Sequence, residues 1–206
     1  MKIISISKEK QHLSKITLDT GDELLLDNDI VSLYCLHEED SITKEKCERY
    51  IFESDVSRAK SRAFWYLDRG ALTEKALYDK LKKAKFSEKA IAAVIARLIE
   101  LKMIDDRRYA ENYAERCENA NISKRETVFK LISKGVPADL AKEVVENEQV
   151  SEEEKIKNLI EKKYKNKLTD KKAKEKVFAA LIRKGFSYGA VREVLKKYIE
   201  ELEYYE

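Results

Sequence analysis

Residues that break regular structure are scarce in this chain, which has five glycines and one proline among 206 residues. A many-stranded fold normally places such residues at its turns, so their scarcity excludes an all-β sandwich or barrel. Cysteine is nearly absent as well. Cys35, Cys47 and Cys117 are odd in number and form no close pair, which argues against a disulfide framework and for a reducing cytosol. No charged-then-apolar leader precedes them, and no apolar run approaches the roughly 20 residues of a membrane span, so the chain reads as cytoplasmic and unattached to a membrane.

The usual carriers of chemistry are equally thin. His12 and His37 are the only histidines. His37 stands beside Glu38, Glu39 and Asp40, but with no second histidine or cysteine at ligand spacing this cluster reads as a solvated loop and not as a metal site. Cys117 has no histidine near it in sequence to activate it, and Gly185 and Gly189 are too sparse for a phosphate-binding loop. The expectation is a protein that is not an enzyme, with no catalytic residue, cofactor or metal.

What the chain does have is charge. Charged residues make up 39% and hydrophobic ones 43%, interspersed in the manner of amphipathic helices gathered into small bundles. The net charge of +3 hides an asymmetry, −6 over residues 1–55 and +9 over the remainder. The basic part is the helical part, and such an excess favours phosphate or an acidic protein surface.

Residues 1–27 differ from everything after them. "IISIS", "KITL" and "ELLL" are short β-prone runs, and "DTGD" (Asp19 to Asp22) marks a turn, which predicts a hairpin or three-stranded meander. Asp27 or Asn28 can cap a short helix through Val31, Leu33 and Leu36, and a second helix runs from about Thr43 to Phe52.

From Val56 onward the dominant feature is a repeat of 50 residues. Phe86-Ser87, Val136-Pro137 and Phe186-Ser187 are equivalent; Leu81, Leu131 and Leu181 precede them by five, and Val94, Val144 and Val194 follow by eight. Each anchor is a corner: Lys85, Gly135 or Gly185 ends one helix, and serine or proline starts the next. A preceding helix completes each unit, at about Val56 to Arg69, about Arg107 to Asn119, and from Ser151 to about Lys167 before Thr169. Thr73, Ser123 with Glu126, and Ser151 with Glu154 supply caps. The predicted fold is mainly α, three tandem three-helix repeats in an elongated curved array behind a small β-hairpin segment, divided as 1–55, 56–106, 107–150 and 151–206.

The stretch "LIELKMIDDRRYAENYAER" (98–116) then reads as the joint between two units. Asp105 and Asp106 sit where a helix dipole favours acids, and adjacent residues on a helix cannot both face one substrate atom. Trp65 falls off the Ala59, Ala63, Tyr66 and Leu67 stripe of its helix, which leaves it as a partner contact or as packing on the N-terminal segment. Basic residues recur at the end of each unit's second helix: Lys80, Lys82 and Lys83; Lys130 and Lys134; Arg183 and Lys184. Lysines there complement the helix dipole, yet their repetition predicts a spaced basic ridge.

"AFWYLDRGALTEKALYDKLKKAKFSEKAIAAVIARLIELKMIDDRRYAENYAER" resembles the signature of the RecX regulatory proteins, through Ala63, Leu67, Arg69, Leu81, Asp105, Asp106, Arg108, Tyr109 and Ala110. The resemblance extends over residues 56 to 206. Lys85 and Lys102 depart from it, standing where members of the family commonly place glycine. It implies a modulator that lies in the groove of the RecA filament on single-stranded DNA, bridges subunits and suppresses recombination and coprotease activity. Lys80, Lys83, Arg107, Arg108, Arg125, Lys130, Lys134, Arg183 and Lys184 are the expected partner-binding residues of a monomer. Two other readings remain open, a direct DNA-binding protein built of helix-turn-helix-like repeats and a generic helical adaptor.

Overall fold

A computed structural model describes residues 1–168 and 171–205, with side chains for 1–166, 168 and 171–200. It forms two compact units, Met1–Ile104 and Asp105–Glu206.

The first unit opens with three antiparallel strands, β1 (Ile3–Lys10), β2 (Leu13–Leu18) and β3 (Glu23–Asp27), in sequential order. The register pairs Ile6 with Ile16 and Ile16 with Leu24. The meander closes at "DTGD", where Gly21 takes φ 85° and the Leu18 amide donates to the Asp22 carbonyl at 2.9 Å. Asp27 caps α1 (Asn28–Leu33) by accepting from the Asp29 amide at 3.0 Å. Leu33 is not on the buried stripe expected of it. Helix α1 is too short to carry a stripe that far, and only Ile30 is buried on it, so Leu33 faces solvent.

A larger departure follows. Thr43 caps a single helix, α2 (Lys44–Leu67), which runs through the expected break between Phe52 and Val56. The boundary at 55/56 therefore falls inside a helix. Phe52-Glu53-Ser54-Asp55-Val56 contains no breaker, and tertiary partners hold it from two sides. The Asp27 amide donates to Ser54 Oγ at 2.7 Å, and Asp55 Oδ2 accepts from the amide and hydroxyl of Ser87 at 2.9 and 2.5 Å. The front of α2 covers the sheet, with Cys47 and Tyr50 buried beside Ile3, Ile16, Leu18 and Leu26. Its rear packs Ala59 and Ala63 against α3 (Glu74–Lys83) and α4 (Glu88–Glu100), among Leu77, Leu81, Ile91, Ile95 and Leu98. Two alanines in that position let the backbones approach closely, and each buried leucine or isoleucine contributes about 1.5–3 kcal/mol.

The second unit repeats this three-helix plan twice: α5 (Asp106–Asn119), α6 (Lys124–Ser133) and α7 (Ala138–Glu146), then α8 (Glu152–Leu159), α9 (Lys171–Arg183) and α10 (Tyr188–Tyr205). After Leu159 the α8 backbone widens into a π-turn, Ile160–Tyr164, and tightens into a 3-10 turn, Lys165–Lys167. The helical run ends at Lys167, where the sequence places it, and Thr169 lies outside the described residues. Serine caps recur where the sequence places them. Ser123, Ser151 and Ser187 accept from Glu126, Glu154 and Ala190 amides at 3.2, 3.1 and 3.3 Å. At the "V-P" corner Pro137 occupies the cap without a side-chain bond.

All three corners turn through the left-handed region, at Lys85 (φ 65°), Gly135 (φ 96°) and Gly185 (φ 87°), and Lys102 does the same at φ 54°. An L-residue there costs about 1–2 kcal/mol relative to the right-handed form. Lys85→Gly is expected to raise stability by about 0.5–1 kcal/mol, after discounting the extra freedom glycine has when unfolded. Urea unfolding followed by circular dichroism measures this, and a loss of stability would show instead that the Lys85 stem contributes packing.

Candidate functional site

The acidic joint resolves into capping and pairing. Asp105 Oδ1 accepts from the Arg108 amide at 2.9 Å and caps α5, with Asp106 in the first turn. Units one and three share a different device: an acid of the unit's first helix clamps the corner serine, Asp55 to Ser87 and Glu152 to Ser187 at 2.8 and 2.7 Å. In unit two the equivalent position is Pro137, which has neither an amide hydrogen nor a hydroxyl, so no clamp forms. Arg107 replaces it with a two-pronged bond to Glu143 on α7, at 2.8 and 3.1 Å. That bond holds the Glu143 carboxyl below the usual carboxylate range, so both partners stay charged at neutral pH. Asp105→Asn with Asp106→Asn is expected to cost about 1 kcal/mol or less, since asparagine still caps and only the charge is lost. Thermal unfolding measures it, and intact stability with lost activity would make the cluster functional.

The expected partner-binding cations separate by environment. Lys80 and Lys83 belong to the first compact unit and the other seven to the second. Arg107 is held by Glu143. Lys130 bonds Glu126 at 2.7 Å one turn away, which raises its amine above the usual lysine range. Lys80 and Lys134 lie over tyrosine rings of their own units, Tyr66 and Tyr113, each 5.2 Å from the centroid. These four are engaged within the fold. Arg108 and Lys83 are exposed.

The remaining three come together. Arg125, Arg183 and Lys184 line one open cleft with Phe129, Ile182, Gly185 and Glu126, the last paired with Lys130, formed where the start of α6 meets the corner between α9 and α10. Ser123 builds the junction: its hydroxyl donates to the Lys184 carbonyl at 2.6 Å while its oxygen accepts from the Glu126 amide. Buried at 1% exposure, it caps one repeat and ties it to the next. Among the described residues, no carboxylate pairs with Arg125, Arg183 or Lys184 side chains. Phe129 projects from their midst at 71% exposure.

Phe129 was absent from the sequence-based set, although a signal for it existed. Thr127 and Leu131 carry the buried stripe of α6, so a residue midway between them lies about 200° round the helix from each and must face outward. An exposed aromatic among cations that meet no carboxylate among the described residues can contact an acidic, partly apolar surface. No cluster of three or more histidine, cysteine, aspartate or glutamate side chains among the described residues could hold a metal. No helix among them is long and apolar enough to cross a membrane.

Comparison with known proteins agrees with this architecture. Residues 59–98 match the family pattern described as RecX, first three-helix domain, and residues 151–195 that described as RecX, third three-helix domain. The regulatory protein RecX of Caldanaerobacter subterraneus subsp. tengcongensis is 30% identical over 160 residues, covering 77% of this chain and 81% of the relative. That of Streptococcus pyogenes serotype M3 is 28% identical over 197 residues, covering 95% of this chain and 76% of its own. A crystal structure of regulatory protein RecX superimposes with TM-score 0.67 at 23% identity, covering 95% of this chain and 98% of that one, and so shares the fold. RecX from Lactobacillus salivarius gives 0.63 at 27% identity over 69% of this chain and 96% of that one. With three-helix units at matching positions and a relative that aligns along most of both chains, this chain belongs to the RecX family of regulatory proteins.

Proposed function

We propose that the protein binds the RecA filament on single-stranded DNA and inhibits or remodels it, modulating recombination and DNA repair. The observation that carries this reading is the cleft in which two successive repeats present Arg125, Arg183 and Lys184 around the exposed ring of Phe129. Arg108 is a further exposed cation of the second compact unit and Lys83 one of the first, whereas Arg107, Lys80, Lys130 and Lys134 act chiefly within the fold. A filament offers the same surface many times over. A regulator built of repeats gains from it, because once one unit docks the next binds at high effective concentration. The three three-helix units, the first carried on the rear of α2 and the others following at 107–150 and 151–206, are the modules that make these successive contacts.

Arg125→Glu, Arg183→Glu and Lys184→Glu combined are expected to abolish inhibition of DNA-dependent ATP hydrolysis by RecA, with the melting temperature unchanged. Any one alone should weaken inhibition in part. Lys130→Ala, which removes a half-buried cation already paired with Glu126, should leave inhibition near the parent's. If the triple variant inhibits as the parent does at moderate salt, the cleft is not the contact.

A further inference from the structure

Trp65 is the only tryptophan in the chain, and it is 45% exposed on α2. The Arg69 guanidinium carbon lies 3.4 Å from the indole centroid, a separation reached only face-on, and the same side chain donates to the Trp65 carbonyl at 2.7 Å. One face of the ring is therefore covered and its orientation held. Arg62 lies over the same ring at 5.3 Å, and Arg58 over the Phe86 ring at 5.8 Å. Trp65, Arg62 and Arg58 border an open cleft of about 590 Å³, which also takes in Phe86, the β1–β2 turn at Gln11 and the start of α1.

Arg58, Arg62 and Trp65 follow one another at intervals of four and three on one face of α2, and Arg69, just past its Asp68 cap, folds its guanidinium back onto the indole. Among the described residues, no carboxylate pairs with any of the three arginines. The core has no use for this ring, because Ala59 and Ala63 fill the helix face that packs inward. Asp27 and Asp29 also line the cleft, and Asp27 is occupied in capping α1. Their charge repels phosphate from that side, so a polyanion is confined to the arginine side; the Asn28 side chain is itself held by the Gln11 carbonyl and the Ser14 hydroxyl.

We propose that this cleft binds single-stranded nucleic acid, with an unpaired base taking the place of Arg62 over the indole and successive phosphates paired with Arg58, Arg62 and Arg69. Unpaired bases stack on exposed aromatic rings without regard to sequence, and arginine spaced along a groove follows the backbone. An acidic peptide would satisfy the arginines and leave the indole unused, while in a duplex the base faces are already stacked. The site lies in the first compact unit and is independent of the RecA reading, so it is tested without RecA.

The experiment titrates the full chain with an oligothymidylate of about 20 nucleotides, long enough to span such a groove, reading tryptophan fluorescence and the anisotropy of labelled oligonucleotide. As the sole tryptophan, Trp65 reports this ring alone. Saturable quenching is expected, along with a log–log salt slope of about −2 for three phosphates on a single strand, shallower by about 0.7 for each arginine removed. Arg58→Glu with Arg62→Glu should abolish the quenching. Trp65→Ala should weaken binding by about tenfold, within the range for loss of one stacked base. Trp65→Phe should retain most of the affinity, and it guards against an alanine variant that fails to fold. Binding without quenching, equal quenching by a duplex or a polyglutamate peptide, or parental affinity in a folded Trp65→Ala variant would overturn the proposal.

Discussion

Lys155→Met is expected to destabilise the second compact unit by about 3–5 kcal/mol, the cost of leaving a buried charge without its partner. Lys155 is fully enclosed, at 1% side-chain exposure, and Glu148 at 2%. Its ammonium donates to Glu148 Oε2 at 2.6 Å and to the Ile122 carbonyl at 3.2 Å. Glu148 Oε1 is buried with no partner among the described residues. Around this pair Glu118 accepts from the Val150 amide at 2.6 Å, and Asn158 donates to Asn121 Oδ1 at 3.1 Å. Together these bonds fasten α8 to the turn between α5 and α6, joining the third repeat to the second. For a unit of this size, each kcal/mol lost moves the melting temperature by about 4–8 °C, so calorimetry should register a fall of well over 10 °C.

The pair itself need not be stabilising. Two charges brought out of water recover only part of their desolvation from each other, so Lys155→Met with Glu148→Met should regain much of what the single change loses. A single variant that loses less than about 1 kcal/mol would show that Glu148 finds water or another donor once Lys155 is gone.

Gly185→Ala carries the second large effect, expected at about 2–4 kcal/mol from backbone strain and collision together. The residue sits at φ 87°, and a Cβ added there would lie 2.8 Å from Ser123 Oγ and 3.3 Å from the Arg125 Cβ. Ser123 cannot swing aside without giving up either its bond to the Lys184 carbonyl or its cap on α6. Gly21→Ala is the control, since Gly21 has a similar φ of 85° and open space around the added carbon. It should lose only the strain, about 1–2 kcal/mol. Equal losses at the two positions in urea unfolding would mean that the repeat junction yields freely. Because the same junction shapes the cleft around Phe129, Gly185→Ala should also weaken partner binding at temperatures where it remains folded.

Local structure in this protein is written locally. Thr43, Thr73, Ser87, Ser123, Ser151 and Ser187 cap the helices they precede because a short side-chain oxygen reaches only the amides two or three residues on. The 50-residue register of leucine and valine fixed which helix faces are buried, and the positive φ at Lys85 and Lys102 was foreseeable from corners that must turn left-handed whatever residue stands there. Asp105 as a cap belongs to the same class.

Other features depend on residues far away in sequence. The continuity of α2 depends on Asp27 and Ser87 reaching Ser54 and Asp55. Arg107 and Arg125 look alike in sequence, yet one meets Glu143 across the bundle and the other meets no carboxylate among the described residues. Lys155 reads as one more solvated lysine in a charged helix until Ile122 and Glu148 close over it. By itself, then, the sequence determined the helices, their caps, their corners and their repetition, since each depends on neighbours within about one turn. Only the tertiary structure decided which charges are neutralised, which is buried and which remain free to bind, because that depends on distances between segments tens of residues apart.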